Sequence, residues 1–303
     1  MKEDMASISD LLQPEEMQSI ANLQLMAKQA VEGAISGHHR SPHKGFSVEF
    51  AQHREYVQGD EIRRVDWKVF AKTDRYYIRE YEEETNLRAT LLVDCSGSMA
   101  YGSEGNHSKC QYALRLAACI AHIIMKQRDS IGMITFDTKV RSFIPPRSST
   151  RHLRVLYDQM VKTQPGGETD LSKVFHEIVP RLKKRGMIFI LSDCFTDVRE
   201  LLASLAHFRR ASHEVLLFHI MDKDEVEFPF DTWTRFENLE QANHFRMVDP
   251  ASFRAAYLDN LNKFRDELKT GCQRHRIELV PMFTYEPLTD VLSRFLNQRL
   301  SLL

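Results

Sequence analysis

The chain has 303 residues, with 41 Lys and Arg against 42 Asp and Glu and a formal net charge of -1. That balance argues against a nucleic-acid binder, which carries a basic excess on its binding domain. With 43% hydrophobic and 27% charged residues, the composition is globular, and the length is enough to bury a large core in one large domain or two small ones. The most apolar stretches, Met187 to Leu191 and Val215 to Ile220, fall far short of the ~20 residues that span a bilayer. No apolar signal core precedes Asp10, and five cysteines without a CxxC spacing read as reduced thiols. A cytoplasmic protein with no membrane span is expected.

Pro14 to Ser36 carries Met17, Ile20, Leu23, Ala27, Ala30, Val31 and Ala34 at helical spacing, and Gly37 follows as a stop. The run from His38 to Gly45, with His38, His39 and His43, is a polar, turn-forming linker. From Phe46 to Tyr81 alternation favours short strands. Residues 1–86 are therefore expected to form a helix and strand-rich appendage.

From Ala89 the pattern changes to alternating strands and helices. Ala89 to Val93, Ser130 to Phe136, Met187 to Leu191, Glu214 to Ile220 and Ile277 to Phe283 are apolar runs of strand length, with Lys139 to Ile144 as a further strand. Helical stripes lie at Tyr112 to Met125, Thr150 to Lys162, Leu171 to Lys184, Val198 to Arg210, Pro250 to Arg274 and Leu288 to Leu302. Residues 87–303 thus predict an α/β domain with a doubly wound, mostly parallel sheet covered on both faces, and a hairpin inserted near 233–249.

In such sheets ligands bind beyond the carboxyl ends of the strands, near the switch point. Asp94, Ser96 and Ser98 follow the first buried strand, Thr169 follows the Gly166-Gly167 turn, and Asp193 follows the strand from Met187. These are hard oxygen donors with few charges, a set that suits Mg²⁺. Alternation along the loop lets Asp94, Ser96 and Ser98 point to one side, while Gly97 relieves crowding. Singly, each of these residues is an ordinary cap or turn residue; the metal expectation rests on their order together.

Asp94-x-Ser96-x-Ser98, Thr169 and Asp193, each after the expected element, resemble the metal-ion-dependent adhesion site of von Willebrand factor A domains. The resemblance runs from Leu87 to Leu303 and implies a six-stranded sheet that binds Mg²⁺ or Mn²⁺ and engages acidic side chains of other proteins, a binding module rather than an enzyme. Upstream, Gly59-Asp60-Glu61-Ile62-Arg63-Arg64-Val65-Asp66-Trp67-Lys68 and Arg79-Glu80-Tyr81-Glu82-Glu83-Glu84 resemble the domain-of-unknown-function 58 family. Its members carry such a domain and are often encoded beside MoxR-type AAA+ ATPases, which implies a bacterial partner or adaptor of an ATPase and its client proteins. Many relatives carry two transmembrane helices near the N-terminus, a feature this sequence does not share.

Other features have plainer roles. Asp60, Arg63, Arg64, Asp66 and Trp67 form an ion-pair and packing cluster or an interaction surface, and Glu82 to Glu84 a solvated edge. Cys95 and Cys194 each follow a ligand Asp, which raises a redox switch against simple packing. The alternative function is Mg²⁺-dependent phosphoryl transfer with Asp94 as nucleophile. Such chemistry needs an acid/base Asp two residues on, where this chain has Ser96. Hydrolysis through Ser96 or Cys95 lacks a GxSxG elbow and an assignable base.

Overall fold

The structure, a computed structural model, describes residues 48–57, 65–83, 87–239 and 245–301. The Pro14–Ser36 helix, the histidine linker and Asp60 to Arg64 lie outside these residues. The described residues belong to two units, one up to residue 83 and one from Leu87 onward.

In the first unit, β1 (Val48–Glu55) is followed by α1 (Trp67–Thr73) and β2 (Tyr77–Glu83). Strands β1 and β2 pair antiparallel, with a register shift between Phe50 and Gln52. The helix corrects the expectation of strands alone. Asp66 accepts hydrogen bonds from the Lys68 and Val69 amides through Oδ1, so a capping aspartate starts a helix where alternation had pointed to extended chain. Phe70 stacks on Tyr76 at 4.5 Å between centroids.

The second unit runs β3 (Arg88–Asp94), α2 (Lys109–Lys126), β4 (Ser130–Phe136), β5 (Val140–Arg147), α3 (Thr150–Lys162), α4 (Leu171–Ile178), β6 (Met187–Ser192), α5 (Val198–Arg210), β7 (Glu214–Met221), α6 (Lys223–Glu227), β8 (Thr234–Glu237), β9 (Phe245–Val248), α7 (Pro250–Arg274), β10 (Glu278–Phe283) and α8 (Leu288–Ser301). Six strands form one sheet in the order β10-β7-β6-β3-β4-β5. All neighbours are parallel except β4 and β5, which gives the doubly wound, mostly parallel architecture that the sequence predicts. Antiparallel β5 closes one edge, where Pro145 and Pro146 are tolerated because an edge strand can lack amide donors. Helix α4 ends at Ile178, short of the expected Lys184, and Pro180 sits in the 3-10 turn that follows.

Central strands are buried on both faces, and their side chains divide by alternation. Leu92 of β3, Ile188 and Ile190 of β6, and Val215 and Leu217 of β7 join one core with Phe175 of α4, Leu201, Leu205 and Phe208 of α5, and Leu268 of α7. Leu91, Phe189 and Phe218 lie off that cluster, and Phe218 meets Phe295 of α8 edge-on at 5.8 Å. Helix α2 packs on this second face, with Leu116, Ala117 and Ile120 buried. Small β8 and β9 pair as an antiparallel hairpin, at the position expected for the insertion.

Phe175 lies edge-on to both Phe136, at 5.8 Å, and Phe208, at 5.3 Å, so its ring bridges the sheet and α5. Phe175→Ala is expected to lower unfolding stability by about 3–5 kcal/mol, read as a shift of the urea midpoint at unchanged slope. A loss below ~1 kcal/mol would mean that the site collapses around the deletion.

Candidate metal centre

Strand β3 has β4 on one side and β6 on the other, so the chain reverses its direction of winding between β3 and β6. Parallel register matches Val93 with Leu191, and the next residues, Asp94 and Ser192, end the two strands side by side. Asp94 is wholly buried. Its Oδ1 accepts from the Ser96 amide at 2.9 Å, and its Oδ2 accepts from Ser192 Oγ at 2.6 Å. Ser192 Oγ in turn accepts from the Cys194 amide at 2.9 Å.

The loop after β3 turns at once into a short 3-10 segment, Gly97–Ala100. The Ser96 and Ser98 hydroxyls lie 3.1 Å apart. Two backbone bonds tie this loop to the glycine turn: Gly97 N to Gly167 O at 2.8 Å and Gly166 N to Cys95 O at 2.9 Å. Gly167 has φ of 84°, a conformation that side-chain-bearing residues rarely adopt. Thr169 follows two residues later, and Asp170 takes the cap of α4 by accepting from the Lys173 amide. Gly97 is required for space: a Cβ there would sit 2.2 Å from the Leu239 carbonyl oxygen. The β8–β9 insertion thus reaches the ligand loop, a contact that spacing alone does not show.

Asp193 follows β6. Its Oδ1 accepts from the Phe195 amide at 3.2 Å, and the Ser98 hydroxyl bonds the same carboxylate. Its Oδ2 accepts from Lys109 Nζ at 2.7 Å, and Lys109 also reaches Glu225 Oε1 at 2.5 Å with a side chain only 3% exposed. Asp94, Ser96, Ser98 and Asp193 therefore form one continuous hydrogen-bonded cluster, and the glycine turn that precedes Thr169 is bonded to the same loop through Gly166 and Gly167. Lys109, Glu225 and Ser192 are the members that the sequence reading missed. One signal was available for Lys109: it is the first residue of α2, where the helix dipole disfavours a cation, so something else must hold it there.

Burial and the charge of Asp193 push the Asp94 carboxyl up to about 7. Burial acts on Asp193 in the same direction, but the Lys109 ammonium outweighs it and holds this carboxyl below the usual range. Burial alone would lower Lys109; the two carboxylates keep it above its ordinary value and charged. One ammonium thus compensates Asp193 and leaves Asp94 short of positive charge.

Among the described residues no three His, Cys, Asp or Glu side chains converge on a point. The available donors are two carboxylates with neighbouring hydroxyls, all hard oxygens. The 3.1 Å between the serine oxygens is a hydrogen bond between hydroxyls; an all-oxygen donor set is of the kind that a hard divalent cation takes. Cys95 and Cys194 are fully buried. A hydrogen bond with Cys110 and burial push the first thiol up, and burial does the same to the second. Both behave as packing groups rather than reactive thiolates.

Six strands in this order, with a carboxylate and hydroxyl cluster at the switch point, define a von Willebrand factor A-like α/β domain. The family described as "Protein of unknown function DUF58" matches residues 52–267, and the chain belongs to that family. An uncharacterized protein of Mycobacterium tuberculosis is 27% identical over 226 residues, covering 73% of this chain and 69% of that one. Among solved structures, the conserved hypothetical protein BatB of Bacteroides thetaiotaomicron covers 71% of this chain and 99% of its own, at 12% identity and a TM-score of 0.47. The VWA domain of SpRpn10 covers 69% and 95%, at 12% identity and a TM-score of 0.40. No helix among the described residues is long and apolar enough to cross a membrane.

Two outcomes follow from the charge arrangement. Lys109→Met leaves the buried Asp193 and the half-buried Glu225 without their cation and is expected to cost about 3–5 kcal/mol of stability in chelator, measured by urea unfolding. Asp94 has a native pKa raised from 3.8 to about 7. Its contribution is therefore fully present below pH ~4 and is lost as pH rises through ~7. Relative to the parent in chelator, Asp94→Asn should gain stability as pH rises from ~4 to ~7 and level off above that. A difference independent of pH would show that Asp94 is ionised throughout.

Proposed function

We propose that this chain is a metal-ion-dependent protein-interaction module. Mg²⁺ or Mn²⁺ would be held by Asp94, Ser96, Ser98, Thr169 and Asp193, and a bound divalent ion supplies a positive centre that can take a carboxylate from a partner. The observation that carries the proposal is the pair of carboxylates facing each other across the β3–β6 switch, with Asp94 driven up to about 7 by burial and by its neighbour. A divalent cation is the chemical group that removes this excess of negative charge. Ser98 and Thr169 are the half-buried members, whereas Asp193 is buried and Asp94 and Ser96 are wholly so, so a partner would approach from the Ser98 side.

The partner proposed is a MoxR-type AAA+ ATPase, with client proteins, in the bacterial cytoplasm. This rests on the likeness of the segments around Asp66 and Glu80 to the family whose members are encoded beside such ATPases. Phosphoryl transfer through Asp94 lacks the second aspartate that such chemistry places two residues on, where this chain has Ser96.

Calorimetry with Mg²⁺ and Mn²⁺ tests the site. The native chain should bind one equivalent, and Ser98→Ala should weaken binding by about tenfold or more. Capture of the ATPase on the immobilised chain should be lost in chelator and restored by added Mg²⁺. An absence of metal binding removes the proposal, and capture that ignores chelator removes the metal from the interaction.

A further inference from the structure

Lys109 places a positive charge among the proposed metal ligands, and it is sealed in there: 3% of its side chain is exposed, against 4% for Asp193. Its ammonium is shared between two carboxylates. Nζ donates to Asp193 Oδ2 at 2.7 Å and to Glu225 Oε1 at 2.5 Å. Of these two only Asp193 belongs to the ligand set. Glu225 is held in place without the lysine, because its Oε2 accepts from the Asp222 amide at 2.7 Å in the capping box that starts α6. The ammonium therefore has a second, fixed partner that is not a ligand.

A divalent ion at Asp193 meets this ammonium across a single carboxylate. Both oxygens of Asp193 are already engaged, Oδ1 by the Phe195 amide at 3.2 Å and Oδ2 by Lys109. Two cations on one carboxylate repel, and with both side chains nearly closed to solvent little water screens them. Asp193 can give its full charge to only one of them. Leaving Lys109 buried without any carboxylate would be costly in its turn. Glu225 removes that obstacle, since the ammonium can release Asp193 and keep one charged hydrogen bond.

We propose that Lys109 is a built-in competitor of the divalent ion: its ammonium neutralises Asp193 until the ion enters, and is then held by Glu225 alone. This regulation rests on the metal-ion reading of the cluster. Ion binding becomes an exchange of cations, weaker than the oxygen ligands alone would give. A carboxylate brought by a partner adds a ligand to the ion and favours the same exchange. Ion and partner then bind with positive coupling, each tightening the other by the same factor.

Calorimetry at constant pH would compare Mg²⁺ and Mn²⁺ binding by the full chain, Lys109→Met and Glu225→Gln. A lysine that only props up the cluster would weaken binding when removed, whereas a competitor gives the opposite sign. Lys109→Met should bind both ions about tenfold more tightly than the parent. Glu225→Gln confines the ammonium to Asp193 and should bind them about tenfold more weakly. Tighter binding also appears as a larger stabilisation of Lys109→Met by added Mg²⁺ in urea unfolding. In the parent, the nitrogen NMR signal of the Lys109 ammonium should shift in step with saturation. The competitor is overturned if Lys109→Met binds the ions no more tightly than the parent. Should that variant not fold, it is overturned if Glu225→Gln binds them as tightly as the parent or if the ammonium signal stays fixed at saturation. Ion binding by neither the parent nor the variants removes the metal reading itself.

Discussion

Asp94 and Asp193 end up side by side because β3 and β6 are neighbours in a parallel sheet, and each strand delivers an aspartate at its carboxyl end. Two carboxylates in a buried place repel, and burial penalises both charged forms. Much of the surrounding chemistry answers that repulsion. Ser96 N and Ser192 Oγ donate to Asp94, Phe195 N and the Ser98 hydroxyl donate to Asp193, and Lys109 brings a full positive charge to Asp193 alone. Compensation remains incomplete at Asp94, whose carboxyl is pushed up to about 7.

Lys109 does more than neutralise one carboxylate. Its second contact, to Glu225, joins the cluster to the end of β7, where the Asp222 amide donates to the other Glu225 oxygen at 2.7 Å. Asp222 then accepts from Thr284 Oγ1 at 2.6 Å and from the Ser103 amide at 3.2 Å. A chain of hydrogen bonds therefore runs along the carboxyl edge of the sheet from β6 through α2 to β7 and to the turn after β10. Buried polar networks of this kind are stable only when every member is satisfied. Here each carboxylate has its donors, and the aliphatic core beneath holds the strand ends in register.

The same strands carry opposite chemistry at their two ends. Carboxylates and hydroxyls crowd the carboxyl edge, whereas Arg88, Lys183, Lys184 and His213 gather at the amino edge. A formal net charge of -1 averages over this separation and hides it.

Strand and helix order, the parallel sheet and the placing of Asp94, Ser96, Ser98 and Asp193 at its carboxyl edge were legible in the sequence. Apolar runs of strand length and helical stripes are local patterns, and residues after a buried strand fall at the carboxyl edge by connectivity alone. Capping was harder to see: Asp66 starts a helix inside a segment that alternates like a strand, because one side-chain hydrogen bond outweighs a weak periodicity. Only the tertiary structure decided which groups share a low-dielectric space. Lys109 lies 84 residues from Asp193 and 116 from Glu225, and Leu239 reaches Gly97 only because the inserted hairpin folds back. Charge compensation and burial depend on distances in space, and no local pattern in the sequence encodes them.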